Sequence, residues 1–281
     1  DTTSGTLGSV GAGNSLVGAT AGDAVGSAGV STMGGFIGVR SPNWDNGGIV
    51  DAGAMTWADR FNGITGLVSS SNSLIGGNAN DRIGQGILDG LIGQNYALRS
   101  STWNSNAGAV TWLNSASPLT GLVSDTNSLV GSSAGDGIGS TGFTTNFSAG
   151  YTVLRSNSWG SNRGSVTWIN PAAPLTGQVS ASNSLVGANA NDFVGNGGVS
   201  FLGNGSYYVR SVSFAGAAGA VSIGAASGGI SGVVSGANSL VGQNPNDGYA
   251  NSVSVLSDNR LLVQAVNADS GGLSDNRRLH I

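Results

Sequence analysis

Asn72-Ser73-Leu74-Ile75-Gly76 is one of five near-identical strings that divide the 281-residue chain at regular intervals. Each string reads Asn-Ser-Leu, then Val or Ile, then Gly, and the five begin at Asn14, Asn72, Asn127, Asn183 and Asn238. Successive strings are 58, 55, 56 and 55 residues apart. Because self-similarity at a fixed period is typical of repeat architectures, we expect five units of about 56 residues. We find no linker between them, so the pattern predicts a single five-repeat domain over residues 1–281.

Each unit has the same internal order, which the fourth one illustrates. The unit begins at Asp192, five residues after the preceding string ends. An apolar stretch follows at 198–202, then a Gly/Asn turn, and then a run at 207–211 that ends in Arg-Ser. A Gly-containing loop leads to 219–223, the counterpart of Gly-Ala-Val-Thr-Trp elsewhere, and a Gly-x-Val-Ser piece precedes the next string. Short runs rich in Val, Thr, Tyr and Trp between such turns predict β-strands. Four strands per unit, repeated five times, predict an all-β, five-bladed β-propeller of four-stranded blades.

The two ends of the sequence are out of phase with the repeat. Residues 5–18 match the last strand of a unit, whereas the segment from Asp247 to Ile281 supplies only the first three. We therefore expect an N-terminal strand to complete the last blade and close the ring, which removes two open sheet edges. The alternative architecture is a parallel β-helix with three coils of about 19 residues in each unit.

Composition excludes several classes of partner. The ten basic residues are all Arg and are scattered, so we expect no nucleic-acid binding. No apolar run approaches the roughly 18–20 residues that span a bilayer, so we expect no membrane insertion. The chain has no Cys, which excludes disulfides and thiolate metal sites. A chain without Lys, Glu or Cys suits a secreted or cell-surface protein, and we predict no cofactor.

The order of motifs resembles a known repeat family. The best match combines 40–47, which reads Arg-Ser-Pro-Asn-Trp-Asp-Asn-Gly, with 53–57, which reads Gly-Ala-Met-Thr-Trp. These residues resemble the FG-GAP repeat of integrin-α-type propellers, in the version found in bacterial adhesins of the filamentous-haemagglutinin type. The resemblance covers all five units and weakens in the last, where Gln264 replaces the Arg. It implies a propeller fold and a role in adhesion.

Integrin-type repeats often carry a Ca²⁺ loop between the first two strands of a blade. Calcium needs about six to eight oxygen ligands, several of them from carboxylates. The corresponding turns here, 203–206, 89–92 and 257–260, each hold at most one acid. We therefore predict no metal site.

The candidate ligand-binding residues are an Arg that ends the second strand and an aromatic residue four positions later. Four units carry this pair: Arg40 and Trp44, Arg99 and Trp103, Arg155 and Trp159, and Arg210 and Phe214. An aromatic ring beside hydrogen-bond donors is typical of sugar pockets. The alternative is an Arg–Asp pair within each blade, formed with the repeated Asp that follows each string. That Asp can instead be a turn residue that accepts backbone N–H bonds. The second set of tryptophans, Trp57, Trp112 and Trp168, lies inside a strand and is predicted to be core.

Catalysis finds little support in the sequence, and we predict that the chain is not an enzyme. The single His, His280, makes a Ser–His–Asp triad improbable. The repeats instead favour a multivalent carbohydrate-binding lectin or adhesin module that binds glycans or glycoconjugates on a cell surface. One alternative is a structural spacer of a large bacterial surface protein without its own ligand. A second is a glycoside hydrolase, which would have to use the acids Asp45, Asp51 and Asp59 of the first unit.

Overall fold

The computed structural model describes residues 8–265, Asn267 and the backbone of the strand at 278–280. The chain divides into two compact units, residues 1–128 and 129–281. Over the described residues, no helix has the length and apolar character needed to cross a membrane. The protein is mostly β, and the single domain predicted over 1–281 stays a prediction.

The first unit consists of short strands and one helical turn. They are β1 (Leu16–Val17), β2 (Val30–Met33), β3 (Phe36–Ser41), β4 (Ala54–Asp59), β5 (Gly66–Leu67), β6 (Ser73–Ile75), β7 (Leu88–Gly90), β8 (Asn95–Ser100), α1 (Trp103–Asn106), β9 (Ala109–Asn114) and β10 (Gly121–Leu122). Strand β11 (Ser128–Val130) begins at the last residue of this unit.

The second unit repeats the same elements. They are β12 (Gly142–Asn146), β13 (Tyr151–Ser156), α2 (Trp159–Asn162), β14 (Ser165–Ile169), β15 (Gly177–Gln178), β16 (Leu185–Val186), β17 (Gly198–Phe201), β18 (Tyr207–Ser211), α3 (Phe214–Ala217), β19 (Ala220–Gly224), β20 (Gly232–Val233), β21 (Ser239–Val241), β22 (Ser252–Val255), β23 (Leu261–Ala265) and β24 (Arg278–His280).

Each repeat builds an antiparallel meander of three strands, and the first four add a short fourth strand from the Asn-Ser-Leu-Val string that follows, whereas the last described sheet has three strands. In the third repeat β12 pairs with β13 and β13 with β14, and β16 then pairs antiparallel to β14 with Leu185 opposite Val166. The first repeat has the same order, with β6 beside β4. The three leading strands predicted for each unit are therefore confirmed.

The Gly-x-Val piece forms a strand in a different sheet from the one that the sequence pattern predicts. Strand β20 leaves its own repeat and pairs in parallel with β16 of the preceding repeat, with Leu185 opposite Gly232. The Val234 N–H donates to the Val186 carbonyl at 2.9 Å. Strands β5, β10 and β15 make the same parallel exchange with β1, β6 and β11. Consecutive repeats are thus joined by a strand that the later repeat gives to the earlier one.

The Asn of the string fixes the loop that makes this exchange. Asn183 accepts the Ser180 N–H at 3.0 Å and donates to the Gln178 carbonyl at 2.9 Å. The other four asparagines make the same two bonds, between 2.8 and 3.0 Å. These bonds hold the chain in a closed loop between the two short strands, so the strands enter different sheets rather than pairing as a hairpin.

The remaining residues of the string fill the core. Ser184 shares a buried hydrogen bond of 2.7 Å with Thr167 on the facing strand, and Leu185 is fully buried. The final Gly, at Gly187, lies so close to the Arg163 carbonyl that a Cβ would overlap it. The string therefore recurs because each of its positions has a structural requirement.

Candidate functional site

The repeated arginines reach across to the next repeat. The Arg40 side chain donates to three backbone carbonyls of the second repeat, at Gly84 (2.7 Å), Gln85 (2.9 Å) and Gly86 (2.6 Å). In the third repeat, Arg155 Nη1 lies 3.4 Å from the Gly195 carbonyl, which is the position equivalent to Gly84. These two arginines stabilise the contact between consecutive repeats, and neither pairs with the repeated Asp.

The other two arginines have different surroundings. Arg99 forms an ion pair of 2.6 Å with Asp89, which lies on the first strand of the same repeat rather than in the Asp loop. Arg210 is partly buried, and its Nε atom finds no hydrogen-bond partner among the described residues. The Arg155 Nε atom is buried in the same way. The Arg99 guanidinium is therefore held within its own repeat, and that of Arg155 lies at the junction to the next one.

The aromatic residues of the predicted pockets differ in burial. Trp44 is 4% exposed and belongs to a core cluster with Ala54, Val68 and Ile75, against which Leu16 and Val25 pack. Because Arg40 points to the following repeat, the structure does not bring this pair together in one pocket.

Phe214 is likewise buried, at 8% exposed, in the core that contains Tyr151 and Tyr207. The rings of Trp44 and Phe214 therefore present no open face to a ligand. Trp103 and Trp159 are partly exposed, so these two remain available for stacking.

The repeated Asp closes two loops at once. Asp136 Oδ2 accepts the N–H groups of Ser132 and Ser133 at 2.9 and 3.0 Å, and its Oδ1 accepts the Gly160 N–H at 3.0 Å. Asp81 makes the same three bonds with Gly77, Asn78 and Asn104. The Asp is therefore a turn residue that accepts backbone N–H bonds, and its carboxylate is committed to the fold.

The environment of Asp23, the first repeated Asp, affects its acidity. Burial alone raises the pKa of this carboxyl, but the bonds from the Thr20 hydroxyl and from the N–H groups of Thr20, Asp45 and Ala19 outweigh it. The net result is a pKa below the ordinary value of 3.8. Asp23 is thus held in its charged form, as a carboxylate that caps backbone donors should be.

The acids of the first repeat are also committed to local contacts. Asp45 accepts the Asp51 N–H at 2.8 Å, and Asp51 forms an ion pair of 2.8 Å with Arg82. Asp59 accepts the N–H groups of Phe61 and Asn62 in its own turn. Among the residues described by the structure, no group of three His, Asp or Glu side chains could hold a metal ion.

A concavity lies beside Trp168, whose partly buried side chain packs against the core cluster of Tyr151 and Tyr207, as the sequence pattern predicts for this position. The concavity has a volume of about 260 Å³ and is lined by Trp168, Asn170, Ala173, Leu175, Ser182, Asn183, Gly228 and Ser231. The lining therefore includes one tryptophan, two asparagines and two serines, and the Asn183 amide is bonded within its own loop. The lining comes from the third repeat and from the start of the fourth.

Two features, one in the third repeat and one in the fourth, distinguish this junction from the one between the first and second repeats. The indole N–H of Trp57 donates at 2.6 Å to the Leu119 carbonyl of the following repeat, whereas Trp168 Nε1 has no partner among the described residues. The position of Pro118 is taken by Gly229 in the fourth repeat. A departure of this kind from the repeat consensus is the signal that could have singled out Trp168.

Comparison with known proteins agrees with the repeat organisation. Five segments match the family described as a repeat of unknown function (DUF5650), at residues 1–27, 32–85, 91–140, 147–196 and 201–251. The chain belongs to this repeat family. Each matched segment ends four residues after a repeated Asp, so the Asp loop closes the family's unit. No curated protein matches the chain.

Proposed function

We propose that this member of the repeat family is a carbohydrate-binding module that attaches to glycans or glycoconjugates on a cell surface. The observation that carries the proposal is the concavity beside Trp168, whose lining combines an aromatic residue with the polar residues Asn170, Ser182 and Ser231, while the Asn183 amide holds the loop at its rim. An aromatic platform with a few polar groups suits a pyranose, whose C–H face stacks on the ring while its hydroxyls take the hydrogen bonds. The proposed site of action is outside the cell, because the chain lacks Cys, Lys and Glu.

Of the four Arg–aromatic pairs predicted from the sequence as ligand-binding sites, the proposal keeps only two. Trp103 and Trp159 are the partly exposed members of the four Arg–aromatic pairs, so they are the proposed additional stacking sites. Each site alone should be weak, because an aromatic contact contributes about 0.5–1.5 kcal/mol beyond burial. Several weak sites on one chain raise avidity on a surface that is dense in ligand. Multivalency is therefore the proposed mechanism, and binding rather than catalysis is the proposed activity.

A glycan array followed by titration with the best monovalent sugar tests this proposal. Ala173 lines the concavity and is exposed, so Ala173→Phe should fill it and abolish binding there. Ala172→Phe is the matched control, since Ala172 is also exposed but is not among the residues that line the site. Equal affinity of both variants would place binding elsewhere, and an array without any signal would reject the proposal.

A second candidate function, a structural spacer without its own ligand, is favoured by the roles of the repeated polar residues. Arg40 and the repeated asparagines bond to backbone atoms and thereby hold repeats and loops in place. A structural spacer requires only such contacts within and between its repeats. A silent glycan array together with high resistance to unfolding would favour the spacer over the carbohydrate-binding module.

We also propose that the repeats are blades of an FG-GAP-like, five-bladed propeller that is closed by an N-terminal strand. Five matched repeats support this arrangement, together with four described meanders that each gain a short fourth strand and a fifth meander of three strands. Small-angle X-ray scattering tests it, because a compact chain of this length should have a radius of gyration of about 19 Å. A much larger value would indicate an extended array of repeats.

A further inference from the structure

The concavity beside Trp168 owes its form to two glycines of the fourth repeat. Gly228 and Gly229 take the positions of Ala173 and Pro174 in the third repeat. Gly229 has a φ of 69°, which Pro cannot adopt, and a Cβ at this position would overlap the Cβ and Cγ atoms of Trp168. A Cβ at Gly228 would meet no atom within 4 Å. The two glycines therefore bring the backbone against the tryptophan and leave the space at the rim of the concavity unfilled.

The size of the concavity suits one sugar ring. Its volume of about 260 Å³ lies below the roughly 300–1,000 Å³ of pockets that enclose drug-sized ligands. Trp168 is half-buried, because it packs on the core cluster of Tyr151 and Tyr207 and also lines the concavity. One aromatic residue in a space of this size favours a single monosaccharide residue over a longer stretch of a glycan.

The lining of the concavity excludes anionic sugars. None of the described residues that line it is an Arg, a His or an Asp. A carboxylate or sulfate that entered would lose water without gaining a cationic partner, which costs free energy. The ligand of this site should therefore be neutral, unlike a uronic acid, a sialic acid or a sulfated sugar.

One part of the lining is aliphatic. Ala173 and Leu175 line the concavity from the segment that follows β14, and Asn170 lies at the start of the same segment. Sugar hydroxyls gain nothing from aliphatic side chains, whereas a methyl group on the sugar would be removed from water there. The lining thus favours a sugar that carries an apolar substituent.

Two polar groups of the lining have unused hydrogen-bonding capacity. Asn170 Oδ1 accepts the Ala172 N–H at 3.0 Å, but its Nδ2 group has no partner among the described residues. The hydroxyl of the exposed Ser231 likewise bonds to no described residue. Ser182, by contrast, already bonds to a neighbouring serine, and the Asn183 amide closes its own loop. An amide donor and a hydroxyl near an aliphatic surface suit an acetamido group, which has a carbonyl, an N–H and a methyl group.

We propose that this concavity binds a neutral N-acetylhexosamine residue. The pyranose ring packs on Trp168, and the acetamido methyl group contacts Ala173 and Leu175. Asn170 Nδ2 and the Ser231 hydroxyl supply hydrogen bonds to the acetamido group and the ring hydroxyls. The inference rests on the proposed carbohydrate-binding function and deepens it, because it names the class of sugar that this site takes.

Titration with the methyl glycosides of N-acetylglucosamine, glucose and glucuronic acid tests the proposal. The N-acetylglucosamine derivative should bind about fourfold more tightly than the glucose derivative, as expected for burial of one methyl group. The glucuronic acid derivative should bind at least about tenfold more weakly than the glucose derivative.

The outcomes of this titration separate the inference from the proposed function. Equal binding of the N-acetylglucosamine and glucose derivatives, or a preference for glucuronic acid, would overturn the inference and leave carbohydrate binding standing. So would a lack of N-acetylglucosamine binding when the glycan array shows that other sugars bind. A silent array would instead reject the proposed function itself.

A substitution in the aliphatic part of the lining assigns the preference to this concavity. Leu175→Asn keeps the side-chain size and removes the aliphatic contact, so it should reduce the fourfold ratio of the two affinities to about one. Leu122→Asn is the matched control, because Leu122 is exposed and is not among the residues that line the concavity. An unchanged ratio in Leu175→Asn would overturn the inference.

A gain of function at an exposed position gives a second test that does not depend on Leu175. Ala173→Arg supplies the cation that the lining lacks, so it should raise the affinity for the glucuronic acid derivative about tenfold. Ala172→Arg, at an exposed position that does not line the concavity, should leave that affinity unchanged. The same affinity for glucuronic acid in both variants would overturn the inference.

Discussion

Arg40 joins two repeats through a single side chain. Its guanidinium donates to three consecutive backbone carbonyls, and these carbonyls have no strand partner of their own at that turn. Hydrogen bonds from a charged donor are stronger than neutral ones, and their loss leaves acceptors unsatisfied at a partly buried junction. The sequence shows that an Arg recurs, but it does not show the direction of the side chain, because Arg has several rotamers that reach different neighbours.

Replacement of Arg40 should therefore weaken the fold. We expect Arg40→Ala to lower the free energy of unfolding by about 2 kcal/mol. Urea denaturation measures the loss. Arg60→Ala is the control, because the Arg60 side chain is exposed and its loss should change stability by less than about 0.5 kcal/mol. Equal effects of the two variants would contradict the role of Arg40 at the junction.

Acid should affect the fold through Asp23. The pKa of this carboxyl is lower in the folded chain than its ordinary value of 3.8, so its contribution to stability is complete above that pH. The contribution is lost as the pH falls from 3.8 through the lower pKa of the folded state. We expect Asp23→Asn to be less stable than the wild type at pH 7, with a difference that shrinks as the pH falls below 3.8. Urea midpoints across this range check the sign, and a constant difference would refute it.

At the scale of single elements, the turn after the Arg-bearing strand has an unusual backbone. In α3 the residues Ala215, Gly216 and Ala217 have φ values of 50°, 68° and 66°, so the turn is left-handed. The carbonyls of Gly216 and Ala217 accept the N–H groups of Asn246 and Gly248 from the next Asp loop. The strained turn thus presents acceptors to the following repeat. Gly and Asn at these positions predict a turn, but only tertiary contacts select three left-handed residues in succession.

A glycine in this turn should relieve the strain. A non-Gly residue in the left-handed region costs about 1–2 kcal/mol, which exceeds the entropy that Gly loses on folding. We expect Ala215→Gly to raise the free energy of unfolding by about 0.5–1 kcal/mol, because Ala215 is exposed and its methyl group packs little. Ala172→Gly, at an exposed position outside the left-handed set, should instead lower stability. Thermal melts of both variants decide, and a loss in Ala215→Gly would contradict the expected relief.

For the whole molecule, the repeat count and the three-stranded meander could be predicted from the sequence, because the period and the turn residues mark them directly. The strand exchange could not, since the Gly-x-Val piece has the same local pattern in either sheet. Which sheet the Gly-x-Val strand joins depends on the loop, closed by the Asn side chain, between this strand and the string that follows it. Trp44 is a second feature that the sequence could not predict. An aromatic residue in a polar loop has the sequence pattern of a binding site, but in the structure Trp44 lies in a core cluster.

The exchanged strand should couple the stability of neighbouring repeats. Val234 of the fourth repeat is buried where β20 joins the sheet of the third, so Val234→Ala should cost about 2 kcal/mol. Hydrogen exchange should show faster opening of β16 in the third repeat as well. Val10→Ala is the matched control, because Val10 has the same repeat position and is exposed. A loss confined to the fourth repeat would contradict the coupling.

The exchange also sets the order in which the sheets can be finished during synthesis. The ribosome delivers the chain from its N-terminus. Strand β10, which completes the first repeat's sheet beside β6, places Gly121 opposite Leu74 and therefore emerges 47 residues after its partner. Until then the edge of β6 is open on a nascent chain, so each sheet waits for the repeat behind it. Pauses in translation just before a Gly-x-Val segment should therefore be the moments when a nascent chain is most prone to pair with the wrong partner.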